Sequence, residues 1–303
     1  MKQIAETLPS QIYEKPKVDI YQKVTDTIVR HLEEGTTPWQ KPWDGGADTF
    51  YIPQNGVSGK QYNGVNVLLL WGTALEREYK SHEWASFRQW NNQKESIRKG
   101  EKGTMVVYYD FIEKEEDGDI KKVPFIKSYL VFNRCQLNSF QPDAVTTVEE
   151  KSLAERLEHV ETFVKNTNAI IKYKGNRACF IPSLDEIHMP RIAKFTDTEH
   201  STATENFYST LSHELVHWAG HSDRLNRDFG KRFGDHTYAA EELVAELGSA
   251  FLCATLSISR ETRKDHANYI ANWLQALKGN KYLITTAANA ASRAVDYLNK
   301  LQP

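Results

Sequence analysis

Two histidines four residues apart, His213 and His217, bracket a glutamate in the run Thr210-Leu-Ser-His-Glu-Leu-Val-His-Trp-Ala-Gly220. In a helix this spacing puts both side chains on one face, one turn apart. Two imidazoles so placed can grip a divalent metal, and Glu214 sits where a carboxylate can take a proton from a water at that metal. Leu211, Leu215 and Val216 cover much of the remaining helix surface with apolar groups, as a buried helix requires. The pentapeptide H-E-x-x-H also arises by chance on ordinary amphipathic helices, so its weight depends on the flanking sequence.

A catalytic zinc takes three protein ligands and keeps one position open. His221 lies about 12 Å further along a continuous helix, too far to share the metal. Asp223 completes the spacing H-E-x-x-H-x-x-G-x-x-D, with Gly220 able to end the helix and fold Asp223 back. That spacing belongs to a class with a methionine turn downstream, yet Met1, Met105 and Met189 all precede it. The better candidate is on the next helix, Tyr238 to Leu252, whose buried stripe is Leu243, Leu247, Ala250 and Phe251. There Glu242 and Glu246 fall at i and i+4, which resembles the gluzincin arrangement. Glu242 is the expected third ligand, with Glu241 as the alternative. Glu246 is expected behind it, accepting the outer imidazole N–H of His213 or His217. Tyr238, His221 or His236 could donate to the oxyanion of an attacked carbonyl, and the sequence does not choose among them.

These residues need a scaffold, and 303 residues leave room for two domains with real cores. Polar, aperiodic residues at 139–151 read as a linker between a front domain, 16–138, and a back domain, 152–303. The front half predicts a helix over 19–34 stopped at Gly35, an apolar helix from Val65 to Tyr79, and a third helix from Ser86 to Arg98. Two long strands, Thr104–Lys114 and Lys122–Asn133, follow as a hairpin. The back half predicts a helix from Ser152 and short strands at 169–174, 178–182 and 186–190. The histidine helix, the Glu242 helix and two more close the chain. Glu186 to Pro190 is the expected free edge of the small sheet, where an extended peptide could pair, and His188 on it is expected to be structural. No 18-residue apolar run or basic-then-apolar leader is present, so neither a membrane span nor a secretory signal is expected. The three cysteines, Cys135, Cys179 and Cys253, form no disulfide or zinc spacing, which points to a reducing cytoplasm.

A net charge of −2 gives no global attraction to nucleic acid, so any such role needs a local patch. Residues 60–102 hold eight Lys or Arg against five acids, interleaved with aromatics. Lys60, Arg88, Arg98, Lys99 and Lys102 are candidates to track phosphates, and Trp39, Trp43 and Tyr62 to contact unpaired bases. Trp71 belongs to the apolar helix and is expected in the core. Trp84, Phe87 and Trp90, at i, i+3 and i+6, suit a buried helix face as well as a stacking platform.

Several stretches together resemble the ArdC-type antirestriction family: Gly35-Thr-Thr-Pro-Trp-Gln-Lys-Pro-Trp43, Gly64-Val-Asn-Val-Leu-Leu-Leu-Trp71, Phe87-Arg-Gln-Trp90, Arg98-Lys-Gly-Glu-Lys-Gly-Thr104, Tyr129-Leu-Val-Phe-Asn133, the histidine helix and Glu241-Glu-Leu-Val-Ala-Glu246. The same front domain is also joined to plasmid primases. The resemblance implies an α+β protein of two domains. The first is an α+β domain with a long hairpin that binds single-stranded DNA; the second is a zincin-like metallopeptidase domain of gluzincin or SprT-like form, with a small sheet and several helices. It implies a mobile-element protein that shields incoming DNA from restriction, with one Zn²⁺ per chain or another divalent metal such as Mn²⁺. His213 and His217 become metal ligands and Glu214 the catalytic base acting on a peptide carbonyl. The implied partners are single-stranded DNA and a protein substrate, DNA-bound or restriction-related. The rival reading is a DNA-binding protein that protects by occlusion and has a structural or degenerate metal site. A metal-dependent nuclease is disfavoured, because the carboxylate cluster of two-metal phosphoryl chemistry is missing from the sequence.

Overall fold

A computed structural model of the chain describes residues 19–35, 37–39, 51–116, 119–141, 153–198, 201–229, 236–258 and 266–303. The expected linker at 139–151 lies almost wholly outside the described residues, as does Trp43. The first helix, α1 (Ile20–Glu33), starts because the Asp19 carboxylate accepts the Gln22 N–H at 3.1 Å. It buries Val24, Ile28 and Leu32 and stops where Gly35 takes φ +74°. After β1 (Gln54–Asn55), Gly64 opens α2 (Val65–Glu76), which buries every residue from Val67 to Gly72. Trp71 is in the core, as its helix predicts.

The third predicted helix is shorter than expected. Residues Glu83–Ser86 form β2, paired with β4 through Trp84–Asn133, Ala85–Phe132 and Ser86–Val131. Ser86 then caps α3 (Phe87–Asn92) through a reciprocal box with Gln89. Trp84 and Phe87 therefore do not share a helix face: Trp84 is a buried strand residue and Phe87 is exposed. The hairpin β3 (Thr104–Glu116) and β4 (Asp119–Asn133) runs from the pair Thr104–Val131 to Glu116–Asp119. The sheet order is β1-β2-β4-β3. At Val107 the side chain of Asn66 answers both backbone groups, accepting its N–H at 2.7 Å and donating to its carbonyl at 2.8 Å. That occupies part of the open edge of β3.

The back half begins with α4 (Leu153–Asn166) and a three-stranded sheet of β5 (Ile170–Tyr173), β6 (Cys179–Ile181) and β7 (Glu186–Met189). Its order is β5-β7-β6, so β7 is paired on both sides. The strand expected to offer a free edge is thus the centre of the sheet, and β6 is a free edge among the described residues. His188 on β7 contacts the Glu186 carboxylate at 3.1 Å. Four helices follow: α5 (Ala203–Ala219), α6 (His236–Leu256), α7 (His266–Gly279) and α8 (Leu283–Lys300). Among the described residues no helix is long and apolar enough to cross a membrane.

One apolar core crosses from the front half to the back half. Trp71 of α2 meets Phe251 of α6 ring to ring at 5.6 Å, and Trp39 meets Trp273 of α7 at 6.0 Å. The Gly64 N–H donates to Ser292 Oγ at 2.8 Å, and Thr25 Oγ1 donates to the Lys281 carbonyl at 2.8 Å. Gly64 combines φ +57° with a neighbour, Asn289 Oδ1, 2.2 Å from where a Cβ would stand. Gly64→Ala is therefore expected to destabilise the protein by about 2 kcal/mol, read as a lower denaturant midpoint at unchanged slope.

His31 of α1 is buried, and that burial pulls its pKa below the ordinary 6.5, with Arg30 acting in the same direction. The unfolded chain then takes up a proton near pH 6.5 that the folded chain still refuses. Stability present above that pH is lost as pH falls toward the depressed folded value. His31→Gln is expected to flatten this part of the pH–stability curve, measured by urea unfolding between pH 7.5 and pH 5.5.

Candidate metal centre

Helix α5 begins at Thr202, whose hydroxyl accepts the Glu205 N–H while Glu205 answers the Thr202 N–H at 3.0 Å. From Leu211 to Ala219 every side chain is buried, so the histidines project into the protein rather than into bulk water. They face α6, which approaches closely because it carries Gly248 at the crossing. A Cβ there would stand 2.8 Å from both methyl carbons of Val216. Ser249 Oγ adds a hydrogen bond to the Ser209 carbonyl at 3.1 Å.

At this crossing the Nε2 atoms of His213 and His217 are 3.2 Å apart, and each is 3.6 Å from an oxygen of Glu242. His213, His217 and Glu242 form the metal-competent cluster among the described residues. Ligand atoms about 2.0–2.2 Å from a tetrahedral zinc stand roughly 3.3–3.5 Å from one another, which these separations match. Burial pushes the Glu242 carboxyl up. A hydrogen bond with His213, the charges of both histidines and the Tyr238 hydroxyl outweigh it and hold the pKa at about 2.

The outer nitrogens meet one carboxylate each. His213 Nδ1 is 3.7 Å from Glu246, which is 3% exposed, and His217 Nδ1 is 3.0 Å from Glu241. Glu241 in turn accepts from Arg227, Nε at 3.0 Å and Nη2 at 2.7 Å. Burial pushes the Glu241 carboxyl up, but the hydrogen bonds from His217 and Arg227 hold it below the usual carboxylate range. Three acids of α6 thus surround the histidine pair, with Glu242 between the imidazoles, Glu246 behind His213 and Glu241 behind His217. Glu241, the alternative third ligand, is occupied elsewhere by Arg227. Its role and that of Arg227 escape a reading by spacing, because Arg227 comes from the loop after α5.

Glu214 is buried on α5, and its charge reaches the Cys179 thiol on the free edge strand β6. Burial raises that thiol's pKa first and the Glu214 charge raises it further. Asp223 points outward with its side chain 82% exposed, 3.7 Å from His221 Nδ1. His221 Nε2 is turned to the Pro182 carbonyl at 3.2 Å. Tyr238 lies one turn before Glu242 and hydrogen-bonds it, and the side chain of His236 lies outside the described residues. Phe229 stands 6.2 Å from the His217 ring and 6.0 Å from Phe180 of β6, lining the side of the site next to the sheet edge.

The nucleic-acid candidates fare unevenly. Trp39 is 1% exposed and packed on Trp273, so it has no ring face for a base, and the expected stacking role is corrected. Arg98 is exposed but committed: its guanidinium donates to the carbonyls of Leu137 and Cys135 at 3.0 and 2.6 Å and to Glu101 at 2.8 Å. It ties a loop down rather than reaching for a phosphate. Tyr62 is half-buried, its hydroxyl 3.3 Å from the Trp84 carbonyl. Lys60, Arg88, Lys99 and Lys102 are exposed. Exposed aromatic area is found instead at Phe87, Tyr108 and Tyr129. Register pairs Tyr108 with Lys127 and Val106 with Tyr129, so both tyrosines share one face of the hairpin.

Two histidines and a glutamate from consecutive helices beside a small sheet define a zincin-like domain, and an α+β domain with a long hairpin precedes it. Residues 158–290 match a family of zincin-like metallopeptidases, and residues 18–132 match the N-terminal domain of the anti-restriction factor ArdC. The chain belongs to the ArdC antirestriction family. It is similar to the crystal structure of the antirestriction ArdC protein from plasmid R388 in its metal-free form, at 37% identity and a TM-score of 0.77 over 94% of this chain and 98% of that one. The Mn(II)-bound structure of that protein gives 0.76 at the same identity and coverage. An uncharacterised protein of Sinorhizobium fredii, y4eC, is 36% identical over 293 residues, 94% of this chain and 92% of its own length. The DNA primase TraC of Escherichia coli is 31% identical over 94% of this chain, which spans 20% of that protein. A second TraC sequence is 32% identical over 93% of the chain, which spans 27% of it.

The contact at Gly248 yields a test of the site's assembly. Gly248→Ala is expected to push α6 off α5 and separate Glu242 from the histidines. Affinity for a divalent metal should fall roughly tenfold or more while helix content stays unchanged, read by chelator competition and circular dichroism.

Proposed function

We propose that this chain is an antirestriction protein that binds single-stranded DNA and hydrolyses a peptide bond in a DNA-bound or restriction-related protein. The observation that carries the peptidase reading is the convergence of His213, His217 and Glu242 around one point, with Glu214 buried on the same helix. Two imidazoles and a carboxylate suit zinc, and manganese, bound by the R388 protein, is the alternative. A fit test supports a cation here. Glu241, Glu242 and Glu246 face the two histidines at or near full burial, Glu214 is buried on the histidine helix, and Arg227 pairs with Glu241. A divalent ion would offset charge that is otherwise costly to bury.

A bound metal of this kind supplies Lewis acidity toward a carbonyl and lowers the pKa of water. The chain's own residues do the rest. Glu214 takes a proton from the attacking water and returns it to the leaving amine. The free edge of β6 holds the substrate extended beside the site by main-chain hydrogen bonds, and Phe180 and Phe229 exclude water there. Tyr238, whose hydroxyl donates to Glu242 before substrate binds, turns that one proton to the developing oxyanion.

In the front domain, Lys60, Arg88, Lys99 and Lys102 track phosphates while Phe87, Tyr108 and Tyr129 stack on bases, each stack contributing about 1–3 kcal/mol. Kinship with the primase TraC supports a nucleic-acid role for this half. Three cysteines outside any disulfide suit a reducing cytoplasm, where the DNA would be met.

Glu214→Gln keeps the size of the side chain and removes the base. It is expected to leave metal content and oligonucleotide binding at wild-type levels. Peptide hydrolysis, and protection of transferred DNA from restriction, should fall at least about a hundredfold. Undiminished protection in that variant would instead support occlusion by a non-catalytic DNA-binding protein.

A further inference from the structure

We infer that Arg227 is a positioning residue for the metal centre: acting through Glu241, it fixes the ring of His217 with Nδ1–H turned outward and Nε2 left for the metal. The inference rests on the metal-site reading above and assigns a role to a residue outside the H-E-x-x-H helix and the glutamate helix.

The geometry is that of a clamp. After α5 the backbone doubles back, with the Leu225 N–H on the Ala219 carbonyl at 3.1 Å and the Arg227 N–H on the Gly220 carbonyl at 2.8 Å. Arg224 secures the turn by stacking its guanidinium 3.9 Å from the Trp218 ring and pairing with Asp185. Arg227 is thereby aimed inward, its side chain 10% exposed, and it forks onto both oxygens of Glu241. Nη2 also donates to the Val216 carbonyl at 2.7 Å, one residue before His217. The guanidinium therefore grips the carboxylate and the helix that carries the ligand at the same time. A bidentate fork fixes the plane of a carboxylate as well as its place, and that plane decides where the Glu241 oxygen meets Nδ1.

Gly220 is part of the device. A Cβ there would stand 2.6 Å from Cζ and Nη2 of Arg227. The backbone at Gly220, φ −79° and ψ −10°, is open to alanine. Glycine is needed at this point for the passage of the guanidinium, not for its conformational freedom. On the other ligand, Glu246 stands 3.7 Å from His213 Nδ1, against 3.0 Å for Glu241 on His217 Nδ1. The loop that carries Arg227 also carries Phe229 against the His217 ring, 6.2 Å between centroids.

The test uses the full chain, stripped of metal and titrated with Zn²⁺ and separately with Mn²⁺ against a chromophoric chelator. Arg227→Met and Glu241→Gln are each expected to weaken binding about 10–100-fold, and the double variant no further, because both act through one contact. Arg227→Lys, a point donor in place of a fork, should recover only part of the loss. Gly220→Ala should weaken binding in the same direction although it removes no polar group. In metal-free protein, the imidazole nitrogen chemical shifts of His217 should report a single Nδ1–H form in wild type and a mixture in Arg227→Met. Circular dichroism shows whether each variant folds, and if Arg227→Met does not, Gly220→Ala decides. Binding within about twofold of wild type in the folded variants, with an undisturbed Nδ1–H signal, would overturn the inference. A wild type that takes up neither metal overturns the metal-site reading instead, and the His217 signal then decides the inference by itself.

Discussion

The close crossing of α5 and α6 is the constraint on which the rest depends. Two imidazoles leave one helix and three carboxylates leave the other, and the separation of the helices decides whether they meet. Gly248 against Val216 sets that separation. Once it is set, the Nε2 atoms share Glu242 while Glu246 and Glu241 stand behind the two Nδ1 atoms. Burying such groups costs several kcal/mol per unpaired ion. The arrangement is tolerable because most of its charges face an opposite partner, and Arg227 supplies one where helix α6 alone cannot.

That crossing is braced from a distance. Helix α6 carries the glutamates in its first half and Phe251 beyond them, and Phe251 packs on Trp71 of the front half. Helix α7 and the turn leading into α8 carry contacts to α1 and its cap, through Lys278–Glu33 at 2.5 Å, Lys281–Asp19 at 2.6 Å and the Tyr21–Tyr282 ring pair at 4.7 Å. The exposed ion pairs add little by themselves; the shared apolar core does most of the joining. Matches to the TraC primases cover both halves of this chain together, in keeping with a core that neither half completes alone.

Much of this was legible in the residues. Helical spacing placed His213 and His217 on one face and singled out Glu242 and Glu246 on the next helix, because a period of 3.6 fixes which side chains neighbour one another within a helix. Apolar stripes located α1, α2, α5 and α6, and Gly35 marked where the first helix ends. Helical spacing misled at Trp84, Phe87 and Trp90, where a strand and a short helix adjoin. The spacing looked helical, but pairing with β4 claimed Trp84. Strand order within the small sheet was equally invisible, since three short strands of similar composition carry no mark of which one lies in the middle.

The sequence by itself determined the local pattern: a helix with two histidines four apart around a glutamate, a second helix bearing acids at the right period, and a long hairpin. Each follows from interactions among residues close in the chain. Only the tertiary structure decided which acid serves which histidine, that Arg227 returns from a loop to hold Glu241, that β7 is the central strand with β6 at an edge among the described residues, and that Trp39 is core rather than surface. Those outcomes depend on contacts between distant segments, and burial, the approach of two helices and the order of strands are properties of the packed whole, not of any window of residues.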